Sequence, residues 1–171
     1  MIQSSECGKV NYVLIGMPGS GKTTIGKLLA KKLNYDFIDS DHYLESLFAE
    51  TIPEMFAKSE AYFRKHETLA IKALSELDRT VISTGGGVVL FEENIRFLKK
   101  NGLVIFLDRS PDAIIQDIEN STRPLLADDK SRLFTLYEQR IELYRKYADL
   151  IIANNQPVEK ICQLMIDQIS N

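Results

Sequence analysis

Gly16-Met17-Pro18-Gly19-Ser20-Gly21-Lys22-Thr23, followed at once by Thr24, decides how the rest of this 171-residue chain is read. The stretch fits the phosphate-loop pattern G-x-x-x-x-G-K-[ST], and its flanks agree with its letters. Val10-Asn11-Tyr12-Val13-Leu14-Ile15 precedes it, short and mostly apolar as in a buried strand. Ile25, Leu28, Leu29 and Leu33 follow at the spacing of one helix face. Strand, glycine-rich turn and helix start direct several backbone N–H groups to one point, and the helix dipole adds positive potential there. Gly19, Ser20, Gly21, Lys22, Thr23 and Thr24 therefore suit a polyphosphate, with Lys22 reaching its outer phosphates and the Thr23 hydroxyl ligating Mg2+. A turn that merely needs positive φ angles would explain the glycines but neither the strand before them nor the helix behind.

Composition sets outer bounds. With 21 basic and 24 acidic side chains the net charge is -3 and the isoelectric point near 5.5, so there is no electrostatic case for a nucleic-acid partner. No apolar run approaches the ~20 residues of a membrane span. Met1-Ile2-Gln3-Ser4-Ser5-Glu6 lacks the basic-then-apolar layout of a signal peptide. Cys7 and Cys162 lie at opposite ends without metal-like spacing, and Cys162 shares an apolar helical stripe with Val158, Met165 and Ile169. A buried free thiol and a reducing cytoplasm are expected, and one domain over residues 1–171 is the natural size.

Apolar strand-like runs at Val10–Ile15, Tyr35–Ile38, Thr80–Ser83, Leu103–Leu107 and Leu150–Ile152 alternate with amphipathic segments. Each run is apolar on both faces, as in a parallel sheet covered by helices on both sides. The spacing predicts a three-layer α/β/α domain around five parallel strands, with ligands bound beyond the strands' carboxyl ends. The second strand ends in Asp39-Ser40-Asp41, where one acid can hold a metal and the other accept a proton. Asp39 and Ser40 would equally cap the helix that starts near Asp41. The third strand runs into Gly85-Gly86-Gly87, more glycine than a turn needs, which allows a ligand to approach the backbone. That strand ends in no aspartate. Asp39 is therefore the expected metal-side acid, with Asp108, after the fourth strand, as its rival; Ser110-Pro111-Asp112 beyond it reads as a helix start.

Thr51-Ile52-Pro53-Glu54 opens a helix expected to run to about Leu77, with Phe56, Phe63, Ala70, Leu74 and Leu77 as its apolar stripe and Glu67 on it. Arg64 lies three before Glu67. A surface ion pair and a guanidinium held for a carboxylate ligand both fit that spacing. The polar run from Glu119 to Lys130 reads as a mobile loop around Arg123, suited to close over phosphates. The next helix places Arg140 on an inward stripe with Leu133, Leu136, Tyr137, Tyr144 and Tyr147, where it needs an anion or must snorkel.

Together, Gly16 to Thr24, Asp39-Ser40-Asp41, Phe63-Arg64 with Glu67, Gly85-Gly86-Gly87, Arg123-Pro124-Leu125-Leu126 and Arg140 with Tyr144 resemble the shikimate kinases in order and approximate spacing, over nearly the whole chain. The resemblance implies ATP- and Mg2+-dependent phosphorylation of the shikimate 3-hydroxyl, a step towards chorismate and the aromatic amino acids. It implies strand order 2-3-1-4-5, a substrate-binding segment over about 41–77, a lid over about 119–131, and a cytoplasmic monomer. Carried over by residue, Gly19 to Thr24 hold the ATP phosphates, Thr23 and Asp39 flank the metal, and Lys22 attends the transferring group. Asp41 binds the shikimate hydroxyls and is the candidate base. Arg64 and Arg140 clasp the carboxylate, Gly85, Gly86 and Gly87 offer backbone contacts, and Arg123 is the lid arginine. Gln156, in the loop after the last strand, is counted with the ATP-binding residues. The chain departs from the pattern at Gln116, where the family often has a basic residue, and at Ala49-Glu50, Ser59-Glu60 and Glu142. A gluconate-kinase-like enzyme and a silent nucleotide-binding module are the alternatives; intact Lys22, Thr23, Asp39, Asp41 and Arg123 oppose the latter.

Overall fold

The structure, a computed structural model, describes residues 10–120 and 127–170. Five strands, β1 (Asn11–Ile15), β2 (Asp36–Asp39), β3 (Thr80–Ser83), β4 (Gly102–Asp108) and β5 (Leu150–Ala153), form one parallel sheet in the order β2-β3-β1-β4-β5. Strand positions match the expected ones to within a residue or so, and the order is the one the resemblance implied. Helices α1 (Lys22–Leu33), α2 (Ser40–Phe48), α3 (Ile52–Lys58), α4 (Glu60–Leu74), α5 (Glu92–Leu98), α6 (Pro111–Glu119), α7 (Ala127–Tyr147) and α8 (Val158–Ile169) fill the connections.

Because successive strand side chains point to opposite faces, strands apolar at every position must be covered twice. Val13, Ile15, Ile82, Val104 and Phe106 pack with Ile71, Leu74, Ile95, Ile141 and Tyr144 from α4, α5 and α7. Tyr12, Leu14, Val81, Ile105 and Leu107 pack on the other face with Ile25 and Leu29 of α1 and Ile161, Cys162 and Met165 of α8. Cys162 is free and buried as expected; Cys7 lies outside the described residues. No described helix is long and apolar enough to cross a membrane.

One expectation fails. The helix from Thr51 to Leu77 is two helices, broken at Ser59 and ending at Leu74. Thr51 closes the expected capping box with Glu54, which starts α3. Ser59 is extended (φ -177, ψ 159), and its hydroxyl accepts from Tyr62 N at 3.0 Å, so it caps α4. The break takes Phe56 off the continuous stripe: it is 43% exposed and stacks on Phe63 at 4.3 Å. Leu44, Met55, Phe63 and Ala70 form a third small core beneath α2, α3 and α4, and this core sets where Arg64 points.

Candidate active site

The carboxyl ends of β1, β2 and β3 meet at a cleft of about 480 Å³ bordered by Pro18, Lys22, Thr23, Asp39, Asp41 and Gly85 among others. On its floor the phosphate loop turns through Gly19 (φ 79) and Gly21 (φ 90), left-handed conformations that favour glycine. Lys22 folds back over the loop, its Nζ donating to Gly16 O (2.9 Å) and Met17 O (2.8 Å). Burial brings the Lys22 pKa down to about 8; Asp41 and Asp39 oppose the shift, and the Arg140 charge adds to it. The loop is gripped from the far side by Asn154, which follows β5. Its buried Nδ2 donates to Ser20 O at 2.6 Å, while its backbone N bonds Asp108 O at 2.8 Å. Nothing in the Asn154-Asn155-Gln156-Pro157 stretch marked Asn154 for this role, since it depends on a contact across 134 residues.

Asp39 divides its two oxygens between the readings that the sequence left open. Its Oδ1 caps α2, accepting from Asp41 N (3.1 Å) and His42 N (3.3 Å). Its Oδ2 accepts from the Thr23 hydroxyl at 3.0 Å. Ser83, paired with Asp39 in the β2–β3 register, brings its hydroxyl within 3.4 Å of Thr23 Oγ1. Three oxygen-bearing side chains thus converge beside the loop. No motif in the sequence singles out Ser83, although it stands at the end of β3, the position that an acid would take. The rival acid, Asp108, ends β4 on the other side of β1, away from this cluster. The helix after it, α6, is capped by the Ser110 hydroxyl, which accepts from Ala113 N at 3.3 Å.

Each of the three glycines after β3 is approached closely by a different side chain of the protein itself. A Cβ at Gly85 would lie 2.8 Å from Asp41 Oδ1, one at Gly86 2.8 Å from Pro18 Cδ, and one at Gly87 2.5 Å from Arg64 Nη1. None has a positive φ. Room for close approach, not turn geometry, excludes a side chain here. The glycine turn therefore draws Asp41, the phosphate loop and Arg64 into one place. Ser40 fixes its first residue, accepting from Gly85 N at 3.1 Å. Asp41 is half-buried, and its carboxyl is pushed up by burial and then by the neighbouring Asp39 charge, against Lys22 and Arg64.

Arg64 and Glu67 form a buried pair, not a surface one: Nη1 to Oε2 is 2.8 Å, with side chains 11% and 6% exposed. Burial raises the Glu67 pKa while Arg64 holds it down. The Arg64 guanidinium also lies 5.0 Å from the Phe63 ring centre and contacts Glu60 at 3.4 Å. On α7, Arg140 is half-buried and its buried Nε has no hydrogen-bond partner among the described residues. A buried donor of that kind is costly to leave unpaired, so it suits an incoming anion. One turn on, Tyr144 is fully buried against Phe106 (5.1 Å between ring centres) and donates its hydroxyl to Gly86 O at 2.6 Å. Burial pushes the phenol up to about 12, so it stays a donor. Tyr144 thereby ties the helix of Arg140 to the glycine turn, a link that its place on an apolar stripe concealed.

The structure does not bring every expected residue into this cleft. Arg64, Gly87 and Arg140 are not among the residues that line it, and Gln156 is exposed in the loop after β5, also outside that lining. Arg123, with residues 121–126 of the expected lid, lies outside the described residues, and residues 127–131, expected as loop, already belong to α7.

A shikimate kinase family model matches residues 18–170. Shikimate kinase of Clostridium beijerinckii is 45% identical over 153 residues, covering 90% of each chain. Among solved structures, shikimate kinase from Acinetobacter baumannii in complex with shikimate superposes with a TM-score of 0.84 at 34% identity, covering 94% of this chain and 92% of that one. A gluconokinase from Sinorhizobium meliloti shares the fold, with a TM-score of 0.65, but only 16% identity. With a matched family model over nine-tenths of its length and curated relatives at this identity, the chain belongs to the shikimate kinase family.

Proposed function

We infer that the chain transfers the γ-phosphoryl group of ATP to the 3-hydroxyl of shikimate, giving shikimate 3-phosphate and ADP. One observation carries the residue assignment: the glycine turn holds Asp41 and Arg64 against the same short backbone segment that abuts the phosphate loop at Pro18. A donor bound on the loop and an acceptor held by Arg64 would share that cleft. The backbone N–H groups from Gly19 to Thr24, with Lys22, hold the phosphates. Arg64, preset by Glu67, and Arg140, through an Nε without a partner among the described residues, clasp the acceptor carboxylate. Asp41 takes the hydroxyl proton as the oxygen attacks phosphorus and the bond to the β-phosphate oxygen breaks; its raised pKa makes it a better proton acceptor than an exposed carboxylate. Arg123, outside the described residues, is assigned to closing over the phosphates.

The oxygen donors Thr23 Oγ1 and Asp39 Oδ2, 3.0 Å apart with Ser83 Oγ close by, fit a hard divalent cation. Thr23 and Asp39 would hold Mg2+, directly or through water, and the ion would neutralise phosphate charge. Gln156 is kept as an ATP-side residue. The chain is read as one kinase unit, with an acceptor segment over about 41–77 and a lid over about 119–131, acting as a cytoplasmic monomer. The free buried Cys162 accords with a reducing compartment. A coupled ADP-release assay with shikimate, gluconate or no acceptor tests the reading: release should depend on shikimate. Equal release without it, or preference for gluconate, refutes it.

A further inference from the structure

We propose that Arg109 is the residue on which the purine base of the nucleotide stacks. The inference rests on the reading that the phosphate loop takes ATP. Apart from Arg140 on α7, the acceptor groups lie on one side of β1: Asp41 follows β2, and Gly85 to Gly87, against which Arg64 packs, follow β3. A nucleotide whose terminal phosphate faces Asp41 must carry its base towards the other side, over the ends of β4 and β5. Arg109 is the first residue after β4.

Its surroundings suit that task. Nη2 pairs with Asp117 of α6, Nη1 donates to Asn154 O at 3.5 Å, and the buried Nε has no hydrogen-bond partner among the described residues. Both ends of the guanidinium are therefore anchored, while the side chain remains 19% exposed. Asn154, the residue that receives Nη1, also grips the phosphate loop at Ser20 O, so the position of Arg109 is coupled to that of the phosphates. A fixed guanidinium plane stacks well on a nucleobase, and its prior anchoring reduces the order lost on binding. A purely structural ion pair explains less, because Asp117 is 58% exposed and such pairs stabilise little. Gln116, beside Asp117 on α6, is exposed and uncharged, and offers no competing cation.

The test compares ADP with inorganic tripolyphosphate, which has no base, by calorimetry on the full chain. Arg109→Ala should weaken ADP about tenfold, in line with the loss of one base stack, and leave tripolyphosphate within twofold. Arg109→Lys, which keeps the charge without the plane, should lose most of the same ADP affinity; it also serves if the alanine variant does not fold. Equal losses for both ligands, no loss for ADP, or full affinity in the lysine variant overturns the proposal while leaving the ATP reading intact. Failure of the parent chain to bind either ligand overturns both.

Discussion

Replacing Gly87 by alanine is a one-methyl test of how the acceptor site is built. Gly87 has φ -89 and ψ -1, so alanine fits the backbone and adds no strain there. Its Cβ would nevertheless lie 2.5 Å from Arg64 Nη1, 2.8 Å from Nη2 and 3.0 Å from Cζ. Restoring ordinary contact at about 3.4 Å moves the guanidinium by roughly 0.9 Å, and a misplacement of about 1 Å can cost on the order of a hundredfold in a positioned reaction. Because Arg64 is held by the buried Glu67 carboxylate at 2.8 Å, it cannot retreat freely while keeping that pair. Loss of one charge-assisted contact to the acceptor corresponds to about 1.5–3 kcal/mol, or roughly 10–100-fold in kcat/KM for shikimate. The KM for ATP should stay near that of the parent. Steady-state ADP release over both substrates, with a melting curve to confirm folding, measures this. A folded Gly87→Ala enzyme with shikimate kcat/KM within twofold of the parent would refute the assignment of Arg64 to the acceptor. Gly85→Ala is the paired control: its Cβ meets Asp41 Oδ1 at 2.8 Å, so the loss should fall on kcat.

Other consequences follow from the same geometry. Asp41→Asn should cut turnover by about 10²–10⁴-fold while ADP affinity, read by calorimetry, is retained; an unchanged rate removes Asp41 as the base. The Lys22 pKa near 8 lies below its ordinary value, so the free protein loses this cation as pH rises through about 8. Nucleotide binding above that pH should take up a proton, and affinity should fall from pH 7 to 9; a flat profile without proton uptake contradicts it. The linkage sign for stability is opposite: the unfolded chain binds more protons between about pH 8 and 10.5, so this group alone makes the free fold more stable as pH rises through that window. Tyr144→Phe removes the hydroxyl that donates to Gly86 O, and should cost about 1–2 kcal/mol, visible in denaturant titration, with a raised KM for shikimate. Unaltered stability and KM would show that the glycine turn needs no such tie.

Much of this protein is local in origin and therefore legible from the chain itself. Strands apolar on both faces required a covered parallel sheet, and the loop from Gly16 to Thr24 carried its own strand and helix. The Thr51–Glu54 capping box was readable for the same reason: its bonds span three residues. The Ser59 break was local too, but a continuing apolar spacing from Phe56 to Phe63 masked it. What the linear order withheld is which distant groups meet. Arg64 and Glu67 have the same three-residue spacing in a surface pair as in a buried one; only the packing of α2, α3 and α4 settles their depth. Asn154 meets Ser20 across 134 residues, and Tyr144 meets Gly86 across 58. The three glycines were legible as a place of close approach. That the approaching groups are Asp41, Pro18 and Arg64 was decided by three separate elements converging at the strand ends. Periodicity tells a side chain which face it is on, and only the tertiary fold supplies what stands opposite.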